Sequence, residues 1–214
     1  FFYMLSMVAL LSLAGCSATK FVPDGQYLLN KATVKVEDTH EVLSQDLRNY
    51  LQQKQNTEIL GFWKLQLGIY NTSSQDTTKW TSRNARKIGE PPVIYSEELT
   101  ERSMQQLEHA MDNKGYFQAE IDTTKVVKEK KLDLTYHVTA NEPYHIRNYT
   151  ISFPNTDLQQ IAASERFRLL REGMRFDVDL MNQERQRIAS AMRRNGCYYF
   201  DKELIRFVAD TTWG

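Results

Sequence analysis

Two stretches of this chain carry the same hydrophobic pattern in the same register. Leu99, Leu107, Ala110 and Met111 fall on one helical face, and so do Leu180, Ile188, Ala191 and Met192. Each member of the second set stands 81 positions after its counterpart, as Gly196 does after Gly115. Ser96 and Asp177 are suited to N-capping these helices. Glu97, Glu98 and Asp179 place negative charge in the first turn, where the helix dipole favours it. Gly115 and Gly196 stand where a left-handed C-terminal residue is wanted, with Lys114, Arg193 and Arg194 just before them. Core packing accounts for both stripes, so they build domains and hold no cofactor.

Strands surround the helices. Tyr116 to Val127 is rich in aromatic and β-branched residues, and Lys128-Glu129-Lys130-Lys131 reads as a charged turn. Leu132, Leu134, Tyr136 and Val138 then alternate with Asp133, Thr135 and His137, the period of a half-buried strand. Upstream, Ala32 to Glu37 alternates, Asp38 with Glu41 resembles a capping box, and Val42, Leu43, Leu47, Tyr50 and Leu51 form a helical face. In the second repeat Ile146, Tyr149, Ile151 and Phe153 form the strand, and Thr156 with Gln159 resembles a capping box. The predicted order is strand, helix, helix, strand, strand, twice, which is an α+β fold.

The repeats differ in two ways. Between Asn56 and Lys87 the first carries an extra segment with Ile59, Leu60, Phe62, Trp63, Leu65, Leu67, Ile69, Tyr70 and Trp80. These residues either fill core and domain–domain space or, at Phe62, Trp63 and Tyr70, present an interaction surface. In the second repeat the return strand should begin near Trp213, and the sequence runs to Gly214. A sheet without that strand leaves backbone groups unpaired. The expectation is an N-terminal fragment of a longer protein, its second domain cut before the last strand.

The chain opens on an apolar run, Phe1–Leu13, broken only by Ser6 and Ser12. Leu13-Ala14-Gly15-Cys16 follows, then a polar stretch. That order is a secretory h-region with a small-residue cleavage site, and Cys at the cleavage point marks a lipoprotein signal in which the thiol receives the lipid. The run is shorter than the roughly 20 residues of a membrane span. It lacks the basic n-region of a complete signal, since the chain starts Phe1-Phe2-Tyr3. The expected organisation is a signal peptide over 1–15, Cys16 and a tether over 16–26, a first domain over 27–143 with its insert at about 56–87, and a second domain over 144–214.

Composition narrows the rest. Lys+Arg and Asp+Glu both number 27, so net charge steers the chain toward neither nucleic acid nor an anionic bilayer. Membrane contact is therefore expected through the anchor alone. Of the two cysteines, Cys16 takes the lipid and Cys197 has no partner for a disulfide. The four histidines, His40, His109, His137 and His145, complete no metal spacing. No phosphate-binding Gly loop, Gly-x-Ser-x-Gly elbow or His-Glu-x-x-His helix occurs. Catalytic residues, metal and cofactor are all read as none, apart from the covalent lipid on Cys16.

The β-α-α-β-β pattern, with second helices ending Gly115-Tyr116-Phe117 and Gly196-Cys197-Tyr198, resembles the POTRA domain. Following a lipoprotein signal, it resembles the lipoprotein branch of the BamA/TamA family, often called TamL. Phe21-Val22-Pro23-Asp24-Gly25-Gln26-Tyr27-Leu28-Leu29 and Ile88-Gly89-Glu90-Pro91-Pro92-Val93-Ile94-Tyr95 look specific to that branch. The resemblance implies a C-terminal outer-membrane barrel beyond this chain, POTRA domains facing the periplasm, and a part in inserting outer-membrane proteins or moving envelope components. Its implied partners are unfolded outer-membrane clients or periplasmic assembly proteins, bound by β-augmentation. The client-edge candidates are then Gln118, Glu120, Thr123 and Val126 after the first Gly, and Tyr199, Lys202 and Arg206 after the second. A barrel-less envelope scaffold or glycan-binding lipoprotein, and a lipoprotein hydrolase with its active site downstream, are the alternatives.

Overall fold

The computed structural model describes residues 18–60, 64–74, 79–163 and 168–209. Cys16, Phe62 and Trp63 lie outside the described residues. The chain divides into two compact units, one of Phe1–Glu108 with Glu120–Thr139 and one of His109–Ala119 with Ala140–Gly214. Among the described residues no helix is long and apolar enough to cross a membrane.

The first unit is built on a three-stranded sheet. Its elements are β1 (Leu28–Val36), α1 (Ser44–Leu47), α2 (Leu65–Asn71), α3 (Trp80–Ile88), α4 (Glu97–Asn113), β2 (Glu120–Lys128) and β3 (Lys131–Thr139). The strand order is β1-β3-β2, with β1 parallel and β2 antiparallel to β3. A parallel pair needs a long crossover, and α1 to α4 supply it. Leu132, Leu134, Tyr136 and Val138 of β3 are all buried, as are Leu28, Leu29, Ala32 and Val34 of β1. The predicted alternation is thus the core of the unit. On the other face His137 places Nδ1 2.7 Å from Glu37 and Nε2 3.1 Å from Thr124.

Local detail departs from the pattern in three places. The helix expected after Asp38 starts only at Ser44, with Leu43 at its N-cap and no side-chain cap. The predicted face is real in burial, since Val42, Leu47 and Leu51 are buried, but Leu43 and Tyr50 are exposed. One α-helical turn running straight into the 3-10 turn Arg48–Tyr50 cannot hold all five on one face. The expected capping residue Thr156 is itself the first residue of α5 (Thr156–Ala162), and Asn155 caps it by accepting from the Asp157 and Leu158 amides. Finally, packing begins before Tyr27. Val22 is buried with Leu28 and Leu67, and Ala18 lies against them.

The second unit keeps the helix signals. In α6 (Val178–Arg194) the Asp177 carboxylate accepts from the Leu180 amide at 3.0 Å. The 81-residue repeat persists in the hydrogen bonds that end each long helix. Tyr116 N–H donates to Met111 O at 3.0 Å and Cys197 N–H to Met192 O at 3.1 Å. Ala119 N–H reaches Tyr116 O, and Phe200 N–H reaches Cys197 O. Gly115 and Gly196 have φ of 89° and 95°, the left-handed geometry that glycine adopts without strain.

Among the described residues of 144–209, however, no strand forms. Ile151, Phe153, Phe200 and Ile205 pack on the Ala162, Ile188 and Met192 cluster without a ladder. A strand is held by its partner's hydrogen bonds, and the return strand expected from Trp213 falls outside the described residues. The helical stripe also contains a residue the apolar pattern missed. Glu184, one turn from both Leu180 and Ile188, is fully buried. Arg187 pairs with it at 2.8 Å, the Leu169 amide donates to it at 3.0 Å, and the Tyr149 hydroxyl donates at 3.2 Å. Burial, with Glu184 beside it, pushes the Tyr149 hydroxyl well above the ordinary tyrosine value.

The two capping glycines differ in surroundings. A Cβ on Gly115 would meet the Phe176 carbonyl oxygen at 2.5 Å, whereas one on Gly196 meets nothing within 4 Å. Gly196→Ala should therefore cost only left-handed strain, about 1–2 kcal/mol. Gly115→Ala should cost clearly more, read as the larger drop in the urea unfolding midpoint.

Candidate functional site

The two outer edges of the sheet are treated differently. Along β1, the Leu29 amide donates to Val93 O at 2.8 Å, the Ala32 amide to Gln55 Oε1 at 3.1 Å and the Val36 amide to Ser44 Oγ at 3.3 Å. The Lys64 ammonium donates to Asn30 O and, at 2.9 Å, to Asn30 Oδ1. Residues 91–96, which cover this edge, are themselves held by buried polar side chains. Asn56 donates to Pro91 O at 2.7 Å and accepts from the Val93 amide at 3.1 Å. Gln53 donates to Ile94 O and accepts from the Ser96 amide. The outward amides of Leu29, Ala32 and Val36 and the Asn30 carbonyl on the β1 edge are thus taken.

β2 is the other edge, and among the described residues no strand lies beside it. The Glu129-Lys130 turn makes Lys128 and Lys131 a directly hydrogen-bonded pair across a two-residue hairpin. Parity then sets the rest of the strand. Glu120, Asp122, Thr124 and Val126 turn their backbone groups to β3, while Ile121, Thr123, Lys125 and Val127 turn theirs outward. Val126 and Val127 are both close to half exposed. Lys125 is clamped by Glu97 at 2.5 and 2.6 Å, with its ammonium 5.5 Å from the Tyr95 ring centre. Hydrogen bonds from Lys125 and Tyr95 hold the Glu97 carboxyl below its ordinary value. The clamp is therefore intact at neutral pH and is lost as pH falls through that lowered value. Being exposed, it contributes little stability but fixes where Lys125 points.

The expected edge residues separate against this geometry. Thr123 turns its backbone outward, and its amide donates to the adjacent Asp122 carboxylate at 2.8 Å. Glu120 and Val126 lie on the same strand but offer side chains instead, because their backbone groups belong to the β3 ladder. Gln118 is not on the strand: it sits in the turn before β2, and its carbonyl accepts from Asn141 at 2.7 Å. Tyr199, Lys202 and Arg206 form no edge either. Tyr199 is fully exposed outside any element, Lys202 lies in a 3-10 turn with its carbonyl taken by Arg185, and Arg206 is in irregular chain. The outward set of Ile121, Lys125 and Val127 was legible in principle, because the charged four-residue turn fixes the hairpin parity.

Of the aromatic insert, Tyr70 is described. Its ring meets Phe21 edge-on at 5.4 Å, and the Arg86 guanidinium lies 5.5 Å from the Phe21 ring and 5.8 Å from that of Tyr70. Leu67 of the insert is buried, while Ile59, Leu60, Leu65 and Trp80 are exposed.

The chain belongs to the POTRA family: the family's sequence profile, described as surface antigen variable number repeat, matches residues 32–141. The crystal structure of Haemophilus influenzae BamA POTRA3-5 aligns with 82% of this chain and 89% of its own length, at 12% identity and a TM-score of 0.27. No curated protein sequence matches the chain.

The parity of β2 is directly testable. Val126→Pro removes a donor to β3 and should cost about 1–3 kcal/mol. Thr123→Pro removes an outward donor bonded only to the exposed Asp122 carboxylate, which an edge strand tolerates, and should cost less. Urea unfolding of the two variants measures the difference, and equal losses would contradict the assignment.

Proposed function

We propose that this chain is the periplasmic POTRA region of a lipid-anchored outer-membrane protein of the BamA/TamA type, in its TamL-like lipoprotein branch. It acts without catalytic chemistry of its own, in inserting outer-membrane proteins or moving envelope components. The observation that carries this reading is the asymmetry of the sheet. Buried and half-buried polar side chains close the β1 edge, while the β2 edge is left for an extended segment to join. The lipoprotein part rests on Leu13-Ala14-Gly15-Cys16 after the apolar run, with the lipid as the covalent group on Cys16.

The energetics favour brief capture. Four outward residues, with the Thr123 amide already held by Asp122, offer up to about seven new hydrogen bonds, at roughly 1 kcal/mol net each. Ordering a client strand of about seven residues costs at least as much. Backbone pairing therefore sets register with little sequence demand, and client side chains resting on Val126 and Val127 supply the net affinity. A site of this kind suits handing clients on.

Thr123→Pro in the full-length protein in its host cells tests the reading. It should lower the levels of assembled outer-membrane proteins several-fold while the protein itself remains folded and abundant. Unchanged levels would sink the edge mechanism and favour a scaffold or glycan-binding lipoprotein.

A further inference from the structure

Chain-wide neutrality hides a local bias. From Lys79 to Ile88 the chain carries Lys79, Arg83, Arg86 and Lys87 and no acidic residue. The helical period divides α3 into two faces. Ser82 is buried and Arg86 turns inward, donating to Ser73 Oγ and Ser74 O while its guanidinium lies over Phe21 and Tyr70. Trp80, Arg83, Lys87 and Ile88 share the opposite face, with Trp80 70% and Ile88 66% exposed. Large apolar side chains flanked by long-stemmed cations are the composition of a helix that lies in a membrane interface.

The position of this face along the chain points to its occupant. Lys20 donates to the Asn71 and Ser73 carbonyls at 3.0 and 2.8 Å, at the end of α2. Phe21 lies against Arg86 of α3 itself. The five residues from Phe21 back to Cys16 span at most about 18 Å even when fully extended. A lipid on Cys16 would hold α3 within reach of the headgroups, and the cations of the exposed face match anionic lipid.

We propose that the Trp80, Arg83, Lys87 and Ile88 face of α3 seats on an anionic phospholipid surface, the one in which Cys16 is anchored. The proposal rests on reading Cys16 as lipidated. It adds a second membrane contact to the anchor and sets the orientation of the first unit on the bilayer.

The full lipidated chain in phosphatidylglycerol-containing vesicles tests it, with brominated acyl chains as quencher. Trp63→Phe and Trp213→Phe leave Trp80 as the indole that reports, and the mass of the N-terminal peptide reads lipidation separately. Trp80 emission should fall by at least about twofold in brominated vesicles, since such faces sit at the headgroup–acyl boundary. Arg83→Glu with Lys87→Glu should restore it, with circular dichroism checking the fold. A nitroxide at Thr81→Cys, in a Cys197→Ser chain that keeps every Trp, gives the same readout by collision with lipid-phase oxygen. A lipidated Cys16 with Trp80 unquenched overturns the inference and leaves the lipoprotein reading standing. An N-terminal peptide without lipid overturns both. Trp80 shielded from acrylamide yet untouched by bromolipid overturns the inference and assigns the face to a protein partner.

Discussion

β3 pairs on both sides, parallel to β1 and antiparallel to β2, and the first unit depends on that double ladder. Its buried side chains alternate without a break from Leu132 to Val138. A one-residue slip would turn all four into solvent, so the hydrophobic pattern locks the register of both neighbours. The parallel partner demands a crossover, and the crossover brings the helices to the sheet. The antiparallel partner needs only a two-residue turn, which leaves β2 at the margin, where among the described residues no strand takes its outward backbone groups and only the adjacent Asp122 carboxylate holds the Thr123 amide.

What closes β1 comes from sequence far away along the chain. Ser44, Gln55 and Lys64 reach its backbone directly, and Asn56 and Gln53 hold residues 91–96 against it. The run from Ile88 to Tyr95 has a physical role here. Gly89 lets the end of α3 approach α2 so closely that a Cβ would stand 2.5 Å from the Tyr70 nitrogen. The chain after it pairs with β1 at Val93. The run from Phe21 to Leu29 does the same work from the other end, burying Val22 beside Leu67 and pairing Asp24 with Lys130 at 2.6 Å. Edge closure by scattered polar side chains is one way proteins prevent unwanted strand pairing. Its presence on one edge makes the open state of the other informative.

The insert and the segment that precedes β1 form one packed body. The expected tether is held by Phe21, Tyr70 and Arg86 and by Lys20 on the carbonyls that end α2. A cation at a helix C-terminus is electrostatically favoured, and here it also fixes the entry of the chain into the sheet. Within the insert Leu67 fills core and Tyr70 packs on Phe21, while Trp80 stands out in solvent.

Features with local causes were legible in the sequence. The long helices, their Ser96 and Asp177 caps, the left-handed glycines, the β2–β3 hairpin and the alternation of β3 all follow from periodicity and steric preference within a few residues. The α+β class and the POTRA order follow from their succession. Features that need partners distant in sequence were not legible. The burial of Glu184 is one, because the Tyr149 hydroxyl and the Leu169 amide that meet it in the interior lie 35 and 15 residues away. The segments around Ile151 and Tyr198 have strand composition, but composition forms no ladder without an aligned neighbour. That, among the described residues, β2 has no strand beside it while β1 is covered was settled only in three dimensions, because hydrogen-bond satisfaction is a property of neighbours in space, and the groups that reach β1, the Ser44, Gln55 and Lys64 side chains and the Val93 carbonyl, lie 8 to 64 residues along the chain.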